Sequence, residues 1–371
     1  MILTIIIAFF SLIILVTLHE FGHFILAKKF GVKVEEFGIG YPPRIFGKKI
    51  GETVYSLNLL PFGAFVKIHG EEGGIEDYQS FVGKAIWQRV LIVLGGVVAF
   101  WVVAAVLFTI VFAIGAEIPV PDDTGSTPVE ARVIIAEVSP GSPAEKSSLK
   151  IGDTILNSAW QSENIKISKI KDFQDFVALH KGQEITLTVK RDGEIFDVAL
   201  TPRLDPPAGQ GSLGVGLQRM AVIIQKQAWY RAPVQGVIYC GQLTVTALKG
   251  LAKIFVDLFS GKGVPAEATP AGPLGITVFL AKALDFGPGF FLYLVGAIAV
   301  LVAISNLLPI PALDGGKLVF LLIEKIRSKP ISPKVEQNIT MTFFILLIVF
   351  SIIVTIKFDI PRLSDFIKSG S

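Results

Sequence analysis

MILTIIIAFFSLIILVTLHEFGHFILA, residues 1–27, carries both the fold and the chemistry of this chain. Through Leu18 it has no Asp, Glu, Lys or Arg, and about 20 apolar residues cross a bilayer as a helix. The run lacks a basic start and a small-residue cleavage site, so it reads as a span and not as a cleaved leader. His19, Glu20 and His23 then appear inside the same helix. Residues four apart share a helix face, so both imidazoles can reach one metal ion. Glu20 is adjacent to the metal without being a ligand, which places it to take a proton from metal-bound water. Three ionisable groups at the end of an apolar helix are costly unless they serve a function. The expectation is a zinc site with His19 and His23 as ligands and Glu20 as general base.

Three more stretches are charge-free over a spanning length: 90–116, 286–313 and 337–356. Of the 371 residues, 51% are hydrophobic and 18% charged, against about 25% charged in soluble domains. This excludes a disordered chain, and a net charge of +3 is too small to argue for nucleic acid. The single cysteine, Cys240, excludes an internal disulfide and any multi-cysteine metal site. Basic residues cluster in 28–89 and in 317–334, and none precedes the first span. Basic loops stay in the cytoplasm, so both termini and the segment 117–285 are expected outside. A fifth apolar stretch, 232–248, runs into Lys249, Lys253 and Asp257 on one helix face. It reads as an interfacial amphipathic helix and not as a span.

Two histidines leave a zinc site short of a third protein ligand. The third span ends Asn306-Leu307-Leu308-Pro309-Ile310-Pro311-Ala312-Leu313-Asp314-Gly315-Gly316. Pro309 and Pro311 cannot both sit in a regular helix, and broken backbone at membrane depth must line a cavity or be buried in protein. Asp314 follows the break on the side of His19 and His23, and is the expected third ligand. His69 and His180 read as loop residues without matching partners, and neither is assigned to the metal.

The segment 117–128 reads as a linker. Beyond it, strands are expected at 132–138, 154–157, 184–190 and 194–201. A short helix should start at Ser142, an amphipathic helix should cover 170–179, and Asp192-Gly193 should turn a hairpin. VSPGSPAEKSSLKIGDTIL with VKRDGEIFDVALTP resembles a bacterial, protease-associated PDZ domain, a fold that binds extended segments by strand addition.

HEFGH, the PDZ-like stretch and NLLPIPALDGG together resemble the site-2 protease family, in its bacterial RseP/RasP-type branch. LPFGAFVKIHGE, 60–71, is similar to that family's membrane-associated β-hairpin. AGPLGI, 271–276, is similar to its segment after the PDZ. The resemblance implies one Zn2+ held by His19, His23 and Asp314, with Glu20 as base. It also implies substrate contacts from Asn306, Pro309, Pro311, Gly63, Ala64 and Phe65. Two positions depart from the family: Ala99 stands where an Asn is usual, and Gly63-Ala64 where Gly-Gly is usual.

The expected architecture is a polytopic α-helical membrane protein with four transmembrane helices, a membrane-associated β-hairpin region and one external PDZ-like α+β domain. Its parts are the first span (1–27), a hairpin segment (28–89), the second span (90–116), linker and PDZ (117–227) and an interfacial segment (228–285). The third span (286–316), a cytoplasmic loop (317–336), the fourth span (337–357) and a tail (358–371) complete it. The expected activity is intramembrane zinc endopeptidase cleavage of single-pass membrane proteins, either pre-trimmed anti-sigma factors or remnant signal peptides, in the bacterial cytoplasmic membrane. The expected partners are those substrates, the lipid bilayer and a peptide or protein ligand of the PDZ, with no nucleic acid. A zinc hydrolase of lipid-like substrates and a non-proteolytic PDZ scaffold are the alternatives. An edge strand at 55–59 or 64–68 could hold an unwound substrate.

Overall fold

The computed structural model describes residues 2–71, 73, 77–119, 122, 131–191, 193–207, 210–260 and 270–369. In chain order the elements begin with α1 (Ile2–Lys29), β1 (Val34–Ile50), β2 (Thr53–Ile68) and α2 (Ile86–Ile114). A second group follows: β3 (Ala116–Pro119), β4 (Arg132–Val138), α3 (Pro143–Lys146), β5 (Thr154–Trp160) and β6 (Glu163–Lys166). It continues with α4 (Ile170–Leu179), β7 (Ile185–Arg191), β8 (Glu194–Leu200) and β9 (Val215–Ile224). The chain then forms α5 (Ala232–Phe259), α6 (Pro273–Asp285), α7 (Pro288–Asn306), α8 (Asp314–Arg327) and α9 (Pro333–Val354). A π-helical turn, Thr355–Asp359, leads into α10 (Ile360–Ser369). Two compact units result, Met1–Ile114 with Gln227–Ser371, and Gly115–Lys226.

In the first unit four helices are long and apolar enough to cross a membrane: Ile2–Lys29, Ile86–Ile114, Pro288–Asn306 and Pro333–Ser364. α1 and α2 cross at glycines. A Cβ on Gly22 would lie 2.2 Å from the Gly95 carbonyl oxygen, and one on Gly95 would lie 2.6 Å from that of Gly22. Only residues without side chains let two backbones approach so closely. Below the crossing, Leu15 of α1, Phe100 and Phe108 of α2, Cys240 of α5, and Ala299 and Val300 of α7 form one buried cluster. Pro288 sits in the first turn of α7, where its missing N–H costs nothing. α7 stops before Pro309, as the two prolines require.

Several expectations change here. The stretch 232–248 lies in α5, which is not among the helices long and apolar enough to cross a membrane but does have a helix neighbour. α5 packs along α2, with Gly236 against the Ala105–Thr109 backbone and Tyr239 edge-on to Phe108 at 5.0 Å. The stripe Gly236, Tyr239, Cys240, Leu243 and Ala247 fits that neighbour, whereas the polar positions that suggested an interface begin only at Lys249. The expected interfacial segment also contains a second helix, α6, which packs Val278, Leu280 and Ala281 against Ala8. The expected loop 317–336 begins within α8, and the expected tail continues helically through α10.

β1 and β2 pair antiparallel, but the register uses β1 twice. Phe37, Gly38 and Ile39 face Val66, Phe65 and Ala64 on one side and Tyr55, Ser56 and Leu57 on the other. Tyr55, Ser56 and Leu57 also pair with Lys48, Gly47 and Phe46. Of the two expected edges, 55–57 is therefore interior. Among the described residues, 64–66 has a paired neighbour on one side only.

The second unit is a seven-stranded sheet of order β3-β9-β4-β5-β7-β8, with β6 on β5. Val133, Ile135, Ile155, Leu187 and Val189 meet Phe173 and Phe176 of α4 in its core. β4 and α4 match the expected bounds, and Ser142 caps α3 by accepting the Glu145 N–H at 3.2 Å. Asp192 lies outside the described residues, as do 120–121 and 123–128 of the expected linker. Its start is not linker, because Ala116–Pro119 is the strand β3. Asp122 caps α4, accepting from Ile170 N at 3.0 Å and Lys171 N at 2.8 Å. The buried Arg219 guanidinium donates to the Ser168 and Asp122 carbonyls beside it. A cavity of about 360 Å³ lies between α4 and the 211–217 stretch, lined by Phe173, Val177, Leu213 and Val215.

Candidate metal centre

Three elements converge at the lower half of α1. His19 and His23 are buried on one α1 face. Asp314 is the first residue of α8, directly after the N-cap Leu313. The loop 307–313 folds tightly over this helix start. A Cβ on Gly315 would sit 2.2 Å from the Leu308 carbonyl oxygen, and one on Gly316 2.3 Å from that of Ile310. Gly-Gly after Asp314 is thus a packing requirement.

The three donor atoms form a near-equilateral triangle. His19 Nε2 and His23 Nε2 are 3.2 Å apart, and each is 3.5 Å from Asp314 Oδ2. A tetrahedral zinc with ligands at about 2.1 Å separates them by about 3.4 Å, so the donor set fits the ion and leaves a fourth position open. Asp314 Oδ2 is buried without a hydrogen-bond partner, which is costly unless a cation meets it. His23 donates from Nδ1 to the Ile92 carbonyl at 2.9 Å, which fixes the tautomer and leaves Nε2 as the lone-pair nitrogen. His19 stacks on Phe100 at 4.5 Å. Gly96 lies directly against both rings, since a Cβ there would be 2.2 Å from His23 Nε2 and 2.7 Å from His19 Nδ1.

Beside the triangle is a cavity of about 220 Å³. α1 contributes Glu20 and His23, α2 Ile92 and Val93, and α8 Asp314 and Lys317. Tyr41 of β1, the edge residues Ala64, Phe65 and Val66, and Glu71 close it. Of the other expected contacts, Gly63 turns the chain at φ +104° just before that edge. Asn306, Pro309 and Pro311 lie in or next to the break after α7 and are not among the lining residues. Ala99 packs against Gly22 of the HExxH turn.

Gly96, Ile92, Phe100, Lys317 and Glu71 escaped the sequence reading. The pair Gly95-Gly96 inside an apolar span was the available signal, because small residues in spans mark close helix contacts. His69 has partners after all. It bonds Glu35 Oε1 at 2.8 Å and Asp77 Oδ2 at 3.0 Å, and the two carboxylates hold its pKa above the ordinary imidazole value. The same hydrogen bonds lower Glu35 and Asp77. His180 is not a loop residue but is buried at the end of α4, against Trp160 and Phe176. Among the described residues, His19, His23 and Asp314 are the one cluster with metal-ligand spacing.

The chain matches Peptidase family M50 over residues 7–350. A Clostridium acetobutylicum protein named "Putative zinc metalloprotease" is 33% identical over 356 residues, covering 95% of this chain and 96% of that protein. A Clostridium perfringens protein of the same description is 33% identical over 351 residues, covering 94% and 95%. One from a Nostoc species is 28% identical over 352 residues, covering 93% of each. Similarity along nearly the whole chain and a zinc-fitting donor set with two of its three members on a bilayer-length helix agree: the chain belongs to peptidase family M50, the site-2 proteases, and is a multi-pass membrane zinc metalloprotease.

Proposed function

We propose that His19, His23 and Asp314 hold the zinc, that Glu20 is the general base, and that the enzyme cuts transmembrane segments of single-pass membrane proteins. The observation that carries this is the donor triangle of 3.2, 3.5 and 3.5 Å, with Glu20 and a strand edge lining one cavity beside it. When bound there, zinc supplies a water of pKa near ~7 and polarises the scissile carbonyl. Glu20 would accept a proton from the attacking water and return it to the leaving nitrogen, and with the water's second proton following, the peptide bond would yield a carboxylate and an ammonium. A helical substrate hides its carbonyls in internal hydrogen bonds and must unwind first. The 64–66 edge pairs with the unwound segment by strand addition, Ala64 and Phe65 facing the cavity and Gly63 bending the approach. Asn306, Pro309 and Pro311 shape the break that presents Asp314.

The 115–226 unit is PDZ-like. In its groove beside α4, residues 215–219 of β9 pair with β4 on one side and, among the described residues, have no strand partner on the other, an edge suited to an extended peptide. We read it as a gate that excludes intact ectodomains and admits substrates shortened by an earlier cut, such as pre-trimmed anti-sigma factors or remnant signal peptides. The basic clusters place the hairpin in or against the cytoplasmic leaflet, with both termini and the gate outside the bacterial cytoplasmic membrane. Purified Glu20→Gln enzyme should keep one zinc per chain by elemental analysis and lose about 10²–10⁴-fold in cleavage of a detergent-solubilised single-pass substrate. Undiminished cleavage would remove Glu20 from the mechanism.

A further inference from the structure

Lys317 is the one Lys or Arg among the described residues lining the catalytic cavity. It follows Asp314 by three residues, so the two side chains share a face of α8. Its ammonium is ion-paired to Glu71, from the strap after β2. An ammonium has three N–H donors, and among the described residues the one side-chain hydrogen bond of Lys317 goes to Glu71 Oε1. The side chain keeps 38% of its surface exposed. It also lines an adjoining cavity of about 240 Å³ that contains Arg89 and Glu324.

The charges explain why a cation belongs here. Glu20, Asp314 and Glu71 bring three carboxyl groups to the cavity wall. The zinc dication offsets two and Lys317 the third. Hydrolysis then converts a neutral amide into a carboxylate in the same enclosed space, where repulsion from Glu20 and Glu71 would oppose it. We propose that Lys317, steadied by Glu71, is a substrate- and product-binding residue that donates to the acyl oxygen of the scissile bond and then to the carboxylate formed from it. Charge-assisted donors of this kind are about twice as strong as neutral ones and matter most where water is excluded. Tyr41 is the other hydroxyl or ammonium donor in the lining, and it is neutral. The inference rests on the assignment of Glu20 and the three metal ligands.

The test compares binding, without turnover, of a short apolar peptide acid and its C-terminal amide to the zinc-loaded full-length enzyme in detergent, by calorimetry. Wild type should prefer the acid. Lys317→Gln should lose about tenfold of that preference at unchanged zinc content, since hydrogen bonds to charged groups contribute on that scale. Lys317→Arg should retain part of it, Tyr41→Phe should leave it intact, and Glu71→Gln should strengthen acid binding. An unchanged acid-to-amide ratio in zinc-loaded Lys317→Gln would overturn the inference. If that variant fails to load zinc, weaker acid binding by Glu71→Gln overturns it equally, and stronger binding supports it. Absence of zinc from the wild-type protein would instead overturn the metal-ligand assignment.

Discussion

Gly96 fixes the distance between α2 and the imidazoles, and with it the shape of the metal centre. A methyl group there has nowhere to go, because the atoms 2.2 to 2.7 Å away belong to both rings. Gly96→Ala should therefore lower zinc occupancy more than tenfold, read by elemental analysis. Val98→Ala, on the exposed side of the same helix, should leave it unchanged. Asp314→Ala should also lose zinc and activity together, since two imidazoles alone complete half a tetrahedron. Retained metal in that variant would move the third ligand elsewhere. Glycine is legible in a sequence as a break or a close contact, but which contact depends on the helix that comes to meet it.

At the scale of elements, His69 lies just after β2. It bridges Glu35 at the start of β1 and Asp77. The imidazole pKa is raised by those two hydrogen bonds from the ordinary 6.5. The clamp thus contributes fully below pH 6.5 and fades as pH rises through the higher folded-state value. On the acid side Glu35 and Asp77, both lowered, lose their part only as pH falls through their folded-state values. Thermal melts of the detergent-solubilised protein should show this contribution to stability falling as pH rises above 6.5. His69→Gln should flatten that decline, and an identical pH profile in both proteins would remove the clamp from the account. Periodicity gave the strands of this region but not their pairing, because residues 36–39 find partners on both sides only once β2 doubles back.

For the whole molecule, the neck of the second unit matters most. Ala116 pairs with Ile224 across β3 and β9, so the unit begins and ends side by side. Antiparallel partners are about 5 Å apart, and a short linker can replace 116–225. That excision is cleaner than removing 129–202, which would strip β4 from β9. The excised protein should keep zinc and still cut a pre-trimmed substrate. It should also gain cleavage of the untrimmed form on immunoblots, and an unchanged preference for trimmed substrate would deny the unit a gating role. Orientation is tested separately. Cysteines at Lys49 and Lys181 should react with impermeant reagents from the cytoplasmic and the outer side respectively, over little background because Cys240 is buried. Reversed labelling would invert the topology.

The sequence by itself determined the four spans, the break after Asn306 and the cluster of His19, Glu20 and His23 in α1, since each is written in local terms: apolar length, paired prolines, and histidines one helical turn apart. It also carried Asp314, because a carboxylate after broken backbone at membrane depth has few other uses. Only the tertiary structure decided what surrounds them. The convergence of His19, His23 and Asp314 to within 3.5 Å joins residues about 290 positions apart through helix packing, which no local pattern encodes. The same holds for α5, whose apolar stripe is compatible with an interface or a helix neighbour until α2 is seen against it. It holds for Lys317 and Glu71, unremarkable charges in sequence that form an ion pair in the wall of the cavity beside the donor triangle.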